Sequence, residues 1–176
     1  MKIDGKNIYL SSITYNDTDD IINWRNKDFV RDCFIYREIF TKEIHNNWMR
    51  TMVETGKVMQ FIIYTMLDNR KIGSVYIRDI DKRNKECEFG IFIGEEEYIG
   101  KGYGHEATDL LCEYTFSKLG INRIFLRVLA DNERAIKTYK KSGFIEDKKN
   151  DVVIIDDEPV EVIFMSKYNL DYGNNK

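Results

Sequence analysis

The chain has 176 residues, of which 43% are hydrophobic and 32% charged, with a single proline and a formal charge of −3. That length suits one domain with a sizeable core, and the composition excludes a disordered chain. A mildly acidic balance lacks the basic stripe of a nucleic-acid binder, so an anionic ligand would have to be held locally by backbone amides.

In chain order, alternating or apolar runs predict a strand at 8–13, helices at 18–26 and 42–54, and strands at 59–66 and 72–79. A strand follows at 86–93, with Cys87, Phe89, Ile91 and Ile93 on one face and Glu86, Glu88, Gly90 and Phe92 on the other. Behind a glycine loop, Ala107, Leu110, Leu111 and Tyr114 recur at helical spacing up to Leu119, with Gly120 as the stop. A strand at 123–130, a helix at 133–142 and two strands at 151–155 and 161–168 complete a mixed α/β domain over 1–170, with a tail at 171–176. Cys33, Cys87 and Cys112 are odd in number, far apart and set in apolar segments, which reads as reduced, buried thiols in the cytoplasm without metal-binding spacing. The N-terminus has no apolar h-region, and no window approaches the ~18 apolar residues of a membrane span. The expectation is a soluble, cytoplasmic protein with neither membrane nor nucleic acid as partner.

The glycine loop, Tyr98-Ile99-Gly100-Lys101-Gly102-Tyr103-Gly104, stands between a strand and a helix. The first amides of a helix lack intrahelical partners and carry the positive end of its dipole, so phosphate oxygens are accommodated there. Without Cβ atoms, Gly100, Gly102 and Gly104 let the backbone approach an anion, and Lys101 adds charge. A P-loop is excluded because Lys101 is followed by Gly102 rather than a hydroxyl residue, and Gly-x-Gly-x-Gly is not the dinucleotide fingerprint. Such a loop can also be an ordinary turn.

A second segment runs from Ala130 through Asn132-Glu133-Arg134-Ala135 to Tyr139 and Gly143-Phe144. Asn132 is a good N-cap, Glu133 suits the first turn, and Gly143 suits the helix end. Tyr139 lies two turns beyond Asn132 on the same side of the helix. As structure alone this is a capped helix with a packed tyrosine.

Taken together, these segments resemble the GNAT superfamily of acyl-CoA-dependent N-acyltransferases, and within it the RimL-like branch. The likeness covers nearly the whole chain and is strongest from Glu86 to Phe144. It implies a single mixed sheet, flanked by helices, that splays open after the strand ending near Ile93. It also implies acetyl-CoA as cosubstrate, no metal, the pantetheine arm against the backbone of Ile91, Phe92 and Ile93, and the diphosphate on Ile99, Gly100, Lys101, Gly102, Tyr103 and Gly104. Family members often carry Gln or Arg where this chain has Ile99. Asn132, Arg134 and Ala135 fall on the cofactor side. Tyr139 matches the family's tyrosine that protonates the CoA sulfur, and Glu88 is placed to take the amine's proton.

The N-terminal half supplies the acceptor side in that superfamily. Trp24, Asn26, Arg31 and His45 lie in segments similar to those of nucleotide-linked amino-sugar N-acetyltransferases, such as those of pseudaminic acid biosynthesis. An indole for stacking and a guanidinium for phosphate would suit that acceptor. Packed roles for Trp24, Trp48 and His45 stand beside this reading. The acidic runs Glu95-Glu96-Glu97 and Asp156-Asp157-Glu158 keep a polyamine or a peptide N-terminal amine in view, although such runs are usually solvated. A non-catalytic acyl-CoA-binding module is the alternative from another class. Exposed apolar side chains on the closing strands leave a homodimer open.

Overall fold

β-Branched and aromatic residues fill the middle of the chain, and one sheet takes them up. The structure, a computed structural model, describes residues 1–169, so the tail expected at 171–176 lies outside the described residues. The strands are β1 (Lys2–Asp4), β2 (Ile8–Ser12), β3 (Val58–Thr65), β4 (Lys71–Asp81), β5 (Glu86–Ile93), β6 (Arg123–Leu129), β7 (Ile145–Ile155) and β8 (Glu158–Tyr168). They form one sheet in the order β1-β2-β3-β4-β5-β6-β8-β7, in which only β5 and β6 run parallel.

Both faces of the sheet are covered, which explains why the central strands are buried almost continuously. On one face α4 (Tyr103–Leu119) and α5 (Glu133–Lys141) share a core with Phe61, Ile63, Val75 and Phe89. On the other, α1 (Thr18–Asn26) and α2 (Asp28–Arg31) pack Ile21, Trp24 and Val30 against Ile62 and Phe92, and α3 (Lys42–Trp48) lies against α1. Adjacent residues Ile62 and Ile63 thus serve opposite cores, as strand alternation requires. The fold is the expected single mixed sheet flanked by helices.

Three departures from the sequence pattern have local causes. β1 spans three residues, too few to show a period, and its hairpin is tied down by Glu106 of α4, whose Oε1 accepts from the amides of Lys6 at 2.6 Å and Asn7 at 2.8 Å. β7 is twice as long as expected because its first half, with Glu146, Asp147 and Lys148, carries no apolar alternation, and its register shifts between Glu146 and Asn150. Charge on an outermost strand discourages edge pairing. Ile145, Val152 and Ile154 are exposed on the same strand. The helix expected at 42–54 ends as α3 at Trp48 and widens into a π turn over Met49–Val53, with Glu54 N donating to Met49 O.

The pairing of β5 with β6 is brief. Only Glu86↔Arg123, Cys87↔Ile124 and Glu88↔Phe125 are in register. Beyond them β5 stays with β4 as far as Ile93↔Gly73, while β6 stays with β8 as far as Leu129↔Val162. The sheet therefore opens in a V between Phe89–Ile93 on one arm and the second half of β6 on the other.

Trp24 braces the β5 arm. It is fully buried, its Nε1 donates to Glu95 at 2.8 Å, and a Cβ on Gly94 would come within 2.5 Å of its ring. Gly94→Ala should therefore cost about 1–3 kcal/mol through overpacking, whereas Gly104→Ala, whose Cβ would meet only Ile93 at 3.9 Å, should stay within about 1 kcal/mol of the parent. Urea denaturation of the two variants measures the difference.

Candidate active site

Parting of β5 from β6 leaves backbone polar groups without a strand partner. Gly94 N donates to Ile72 O on the β4 side, and antiparallel alternation then turns Phe92 and Gly90 toward β4 as well. The N–H and C=O groups of Ile91 and Ile93 consequently face the gap, whereas the Phe89 N–H still closes the last pair with β6. This narrows the expectation for the pantetheine contact: Ile91 and Ile93 offer free backbone there, whereas the backbone of Phe92 is already committed to β4.

Below the arm of β5 the chain passes through a 3₁₀ turn at Glu96–Tyr98 and enters α4. Gly100 and Gly102 have φ of +76° and +90°, and a Cβ on either would meet nothing within 4 Å. Glycine is required at both by conformation, not crowding. Gly104 differs from expectation: the helix has already begun at Tyr103, so its φ is helical. No side chain caps α4, and its first bond runs from Glu106 N to Gly102 O, so the amides of the first turn point outward at the positive end of a 17-residue helix.

α5 closes the other side. Asn132 Oδ1 accepts from Ala135 N at 3.2 Å, the cap anticipated from the sequence. Tyr139 is buried edge-on against Phe89, with ring centroids 6.2 Å apart, and also contacts Phe144. Burial raises its phenol well above the ordinary value, with further contributions from Tyr76 and Cys33.

These pieces line one cleft of about 390 Å³, within the range of small-molecule sites. Of the residues singled out from the sequence, the cleft gathers Glu88, Ile91, Phe92, Ile93, Ile99, Gly100, Gly102 and Gly104 from one arm, and Asn132, Arg134, Ala135 and Tyr139 from the other. Lys101 and Tyr103 do not line it. Lys101 Nζ sits 5.4 Å from the centroid of the Tyr98 ring, which in turn packs on Tyr103.

Glu88 is not a free carboxylate. Oε2 accepts from Arg78 Nη2 at 2.9 Å and Oε1 from Arg127 Nε at 3.0 Å, and the side chain is mostly buried. Both oxygens are thus engaged by guanidiniums, so the general-base expectation does not fit its surroundings.

The four acceptor-side residues are likewise placed elsewhere. Trp24 is core. Asn26 clasps the backbone of Phe40, donating to its O at 2.8 Å and accepting from its N at 2.7 Å. Arg31 pairs with Asp28 at 2.6 Å. His45 is buried with Nδ1 3.2 Å from Thr18 Oγ1, and burial lowers its pKa. None of the four lines the cleft.

What lines it instead is the segment that these residues anchor, with Phe29, Cys33, Phe34 and Tyr36 forming the outer wall. Arg25 supports it from beneath. Its guanidinium carbon lies 3.4 Å from the Phe34 centroid and 4.7 Å from that of Phe40, and Nη2 donates to Tyr36 O. Arg25 is buried, its Nε has no hydrogen-bond partner, and burial lowers its pKa to about 10. Four aromatics between residues 29 and 40 were the signal available in the sequence for this wall.

A V-shaped sheet with a glycine loop and helix N-terminus at its mouth defines an acyl-CoA N-acyltransferase type of fold. The chain belongs to the acetyltransferase (GNAT) domain family, whose model matches residues 7–145. It is 29% identical to the spermidine N(1)-acetyltransferase of Vibrio cholerae, over 62% of this chain and 57% of that protein. It is 26% identical to acetyltransferase PseH of Campylobacter jejuni, over 70% and 74%. A Methanocaldococcus jannaschii protein, MJ1062, is 31% identical over 81% of this chain but 29% of its own length. The chain thus spans well under two thirds of several curated relatives. Among solved structures, V. cholerae spermidine N-acetyltransferase in complex with CoA and spermine superposes with a TM-score of 0.87 over 97% of this chain and 100% of that one, at 21% identity. Ribosomal-protein-S5-alanine acetyltransferase of Vibrio fischeri gives 0.83 over 98% of each, at 20% identity.

Cys33 corrects a further expectation: it is exposed beside the cleft, and only Cys87 and Cys112 are buried. The difference arises because Cys33 follows the four-residue α2, at the edge of the wall rather than in a packed element. Among the described residues no helix is long and apolar enough to cross a membrane. In the native protein a thiol reagent such as DTNB should modify Cys33 alone, the other two reacting only in denaturant. Partial burial raises the Cys33 thiol, so its thiolate fraction at neutral pH is below that of a free cysteine, and the labelling rate should keep climbing above pH ~8.5.

Proposed function

We propose that the protein is an acetyl-CoA-dependent N-acetyltransferase whose acceptor is a primary amine on an anion-bearing carrier, a nucleotide-linked amino sugar. The single observation that carries the transfer reading is the gap between β5 and β6, which presents unpaired backbone on Ile91 and Ile93 in the cleft that Tyr139 also lines. Family membership and relatives named as acetyltransferases support it.

Residues of the cleft fit acetyl-CoA as the donor. Ile91 and Ile93 would pair with the amides of its pantetheine arm, and the first-turn amides of α4 with Gly100 and Gly102 would take the diphosphate. Arg134, Lys137 and Lys141 on the α5 side add positive charge where phosphates would enter. The donor supplies an activated acetyl thioester. A backbone N–H on the β5 arm polarises its carbonyl, the role of an oxyanion hole. As the N–C bond forms and the C–S bond breaks, Tyr139 gives its hydroxyl proton to the sulfur, and the proton shed by nitrogen restores the phenol through water. A raised phenol stays protonated until the thiolate appears.

Glu88 enters this scheme as an anchor instead of a base. Arg78 and Arg127 flank it, and it is the one carboxylate among the described residues lining the cleft. With Arg25 beneath the wall, positive charge exceeds negative charge there. Such surroundings disfavour an ammonium ion and so favour the neutral, nucleophilic amine. They also favour phosphate on the acceptor and oppose a polycation. The names of the spermidine-acetylating relatives support a polyamine as the second reading.

Acetyl transfer to a UDP-linked amino sugar and to spermidine, followed by release of CoA thiol, separates the two. The expected outcome is a kcat/KM at least 10-fold higher for the sugar nucleotide; preference for spermidine would transfer the proposal to polyamines. Tyr139→Phe should lower kcat by 10²-fold or more, on the order of 10²–10⁴ for a general acid, while leaving the Kd for CoA unchanged by calorimetry. Equal turnover by that variant would remove Tyr139 from the chemistry.

A further inference from the structure

A second phenol, Tyr76, lines the cleft together with Tyr139, and no family motif in the sequence drew attention to it. Tyr76 lies on β4 directly opposite Gly90 of β5, two residues past the last β5–β6 pair at Glu88. Its ring covers the place where Gly90 lacks a Cβ: an added methyl would stand 2.5 Å from the Tyr76 hydroxyl oxygen and 2.7 Å from Cε2. Gly90 is therefore the gap in the β5 surface that lets this phenol lie flat across the strand. Both residues line the cleft.

The hydroxyl is surrounded by charge yet makes no hydrogen bond to any described residue. Arg78, Arg25, Glu88 and Arg127 all lie close enough to influence its titration, and Tyr76 in turn influences that of Tyr139. Burial raises Tyr76 above the ordinary phenol value, so it is neutral at physiological pH. The hydroxyl opens on the cleft, where water satisfies it in the free protein and a ligand group can take that water's place. Phenylalanine would fill the hollow over Gly90 equally well. The oxygen is accounted for by a partner from outside the chain.

We propose that Tyr76 positions the acceptor amine, its phenol oxygen accepting one N–H so that the nitrogen lone pair is aimed at the thioester held between β5 and Tyr139. The inference rests on the acetyl-transfer reading and holds for any primary amine. A neutral phenol can accept from a neutral amine, and the guanidiniums around it leave no site for an ammonium ion at the same point. Tyr76 and Tyr139 then divide the work, one orienting the nucleophile and the other protonating the leaving sulfur.

Hydroxylamine, a small nucleophile that is neutral at pH 7.5, serves as the probe, with thiol release above the uncatalysed rate as the readout. Tyr76→Phe keeps the ring and removes the oxygen. It should lower kcat/KM for hydroxylamine about 10-fold, with unchanged melting temperature and unchanged Kd for acetyl-CoA. Gly90→Ala, which displaces the phenol, should reproduce the loss. Undiminished kcat/KM in Tyr76→Phe would overturn the assignment while leaving acetyl transfer intact. A parent protein that binds acetyl-CoA but never turns over hydroxylamine or any other amine would overturn the transfer reading, and this assignment with it.

Discussion

Every functional feature of this fold depends on β5 having two neighbours at its start and one at its end. Three residues of parallel pairing hold β5 to β6, and then the strands separate. β4 keeps β5 straight through Ile93, and β8 draws β6 away. Buried backbone groups without partners are costly, of order 1–3 kcal/mol each, so an edge of this kind inside a domain implies a ligand that completes it. Packing on the outer face braces the β5 arm: Trp24 under Gly94, and Phe92 against Trp24 and Phe34.

Charge is divided between the two halves of the cleft with little waste. The donor half relies on fixed dipoles, the first turn of α4 and the glycines before it, reinforced by basic side chains on α5. The acceptor half relies on guanidiniums held at fixed points, Arg78 and Arg127 by Glu88 and Arg25 by aromatic rings. Under the proposed transfer, the scarcity of negative charge in that half would favour the neutral amine without a dedicated base. Two raised phenols, Tyr76 and Tyr139, line the cleft.

The donor half was legible in the chain because its chemistry is local. Gly100 and Gly102 show their left-handed backbone as glycines, Asn132 its cap three residues before Ala135, and Tyr139 its face by helical spacing. The acceptor half was not, because its contacts join residues far apart in sequence. Trp24, Asn26, Arg31 and His45 carry the right chemistry but spend it on holding the 29–40 segment and the helices around it. Glu88 is visible as a strand-face acid, yet nothing local shows that Arg78 and Arg127 will occupy both its oxygens. The Tyr76–Gly90 pairing requires knowledge of the β4–β5 register. β1 and the first half of β7 were missed for a simpler reason, since a three-residue strand and a charged edge strand have no apolar period to detect.

Amide hydrogen exchange across β5 with and without CoA tests the central claim most directly. If the open edge is where the donor's arm lies, the amides of Ile91 and Ile93 should slow at least 10-fold on saturation with CoA, while that of Phe92, already turned to β4, changes little. CoA binding that left Ile91 and Ile93 exchanging at their free rates would show that the arm lies elsewhere, and would contradict the account.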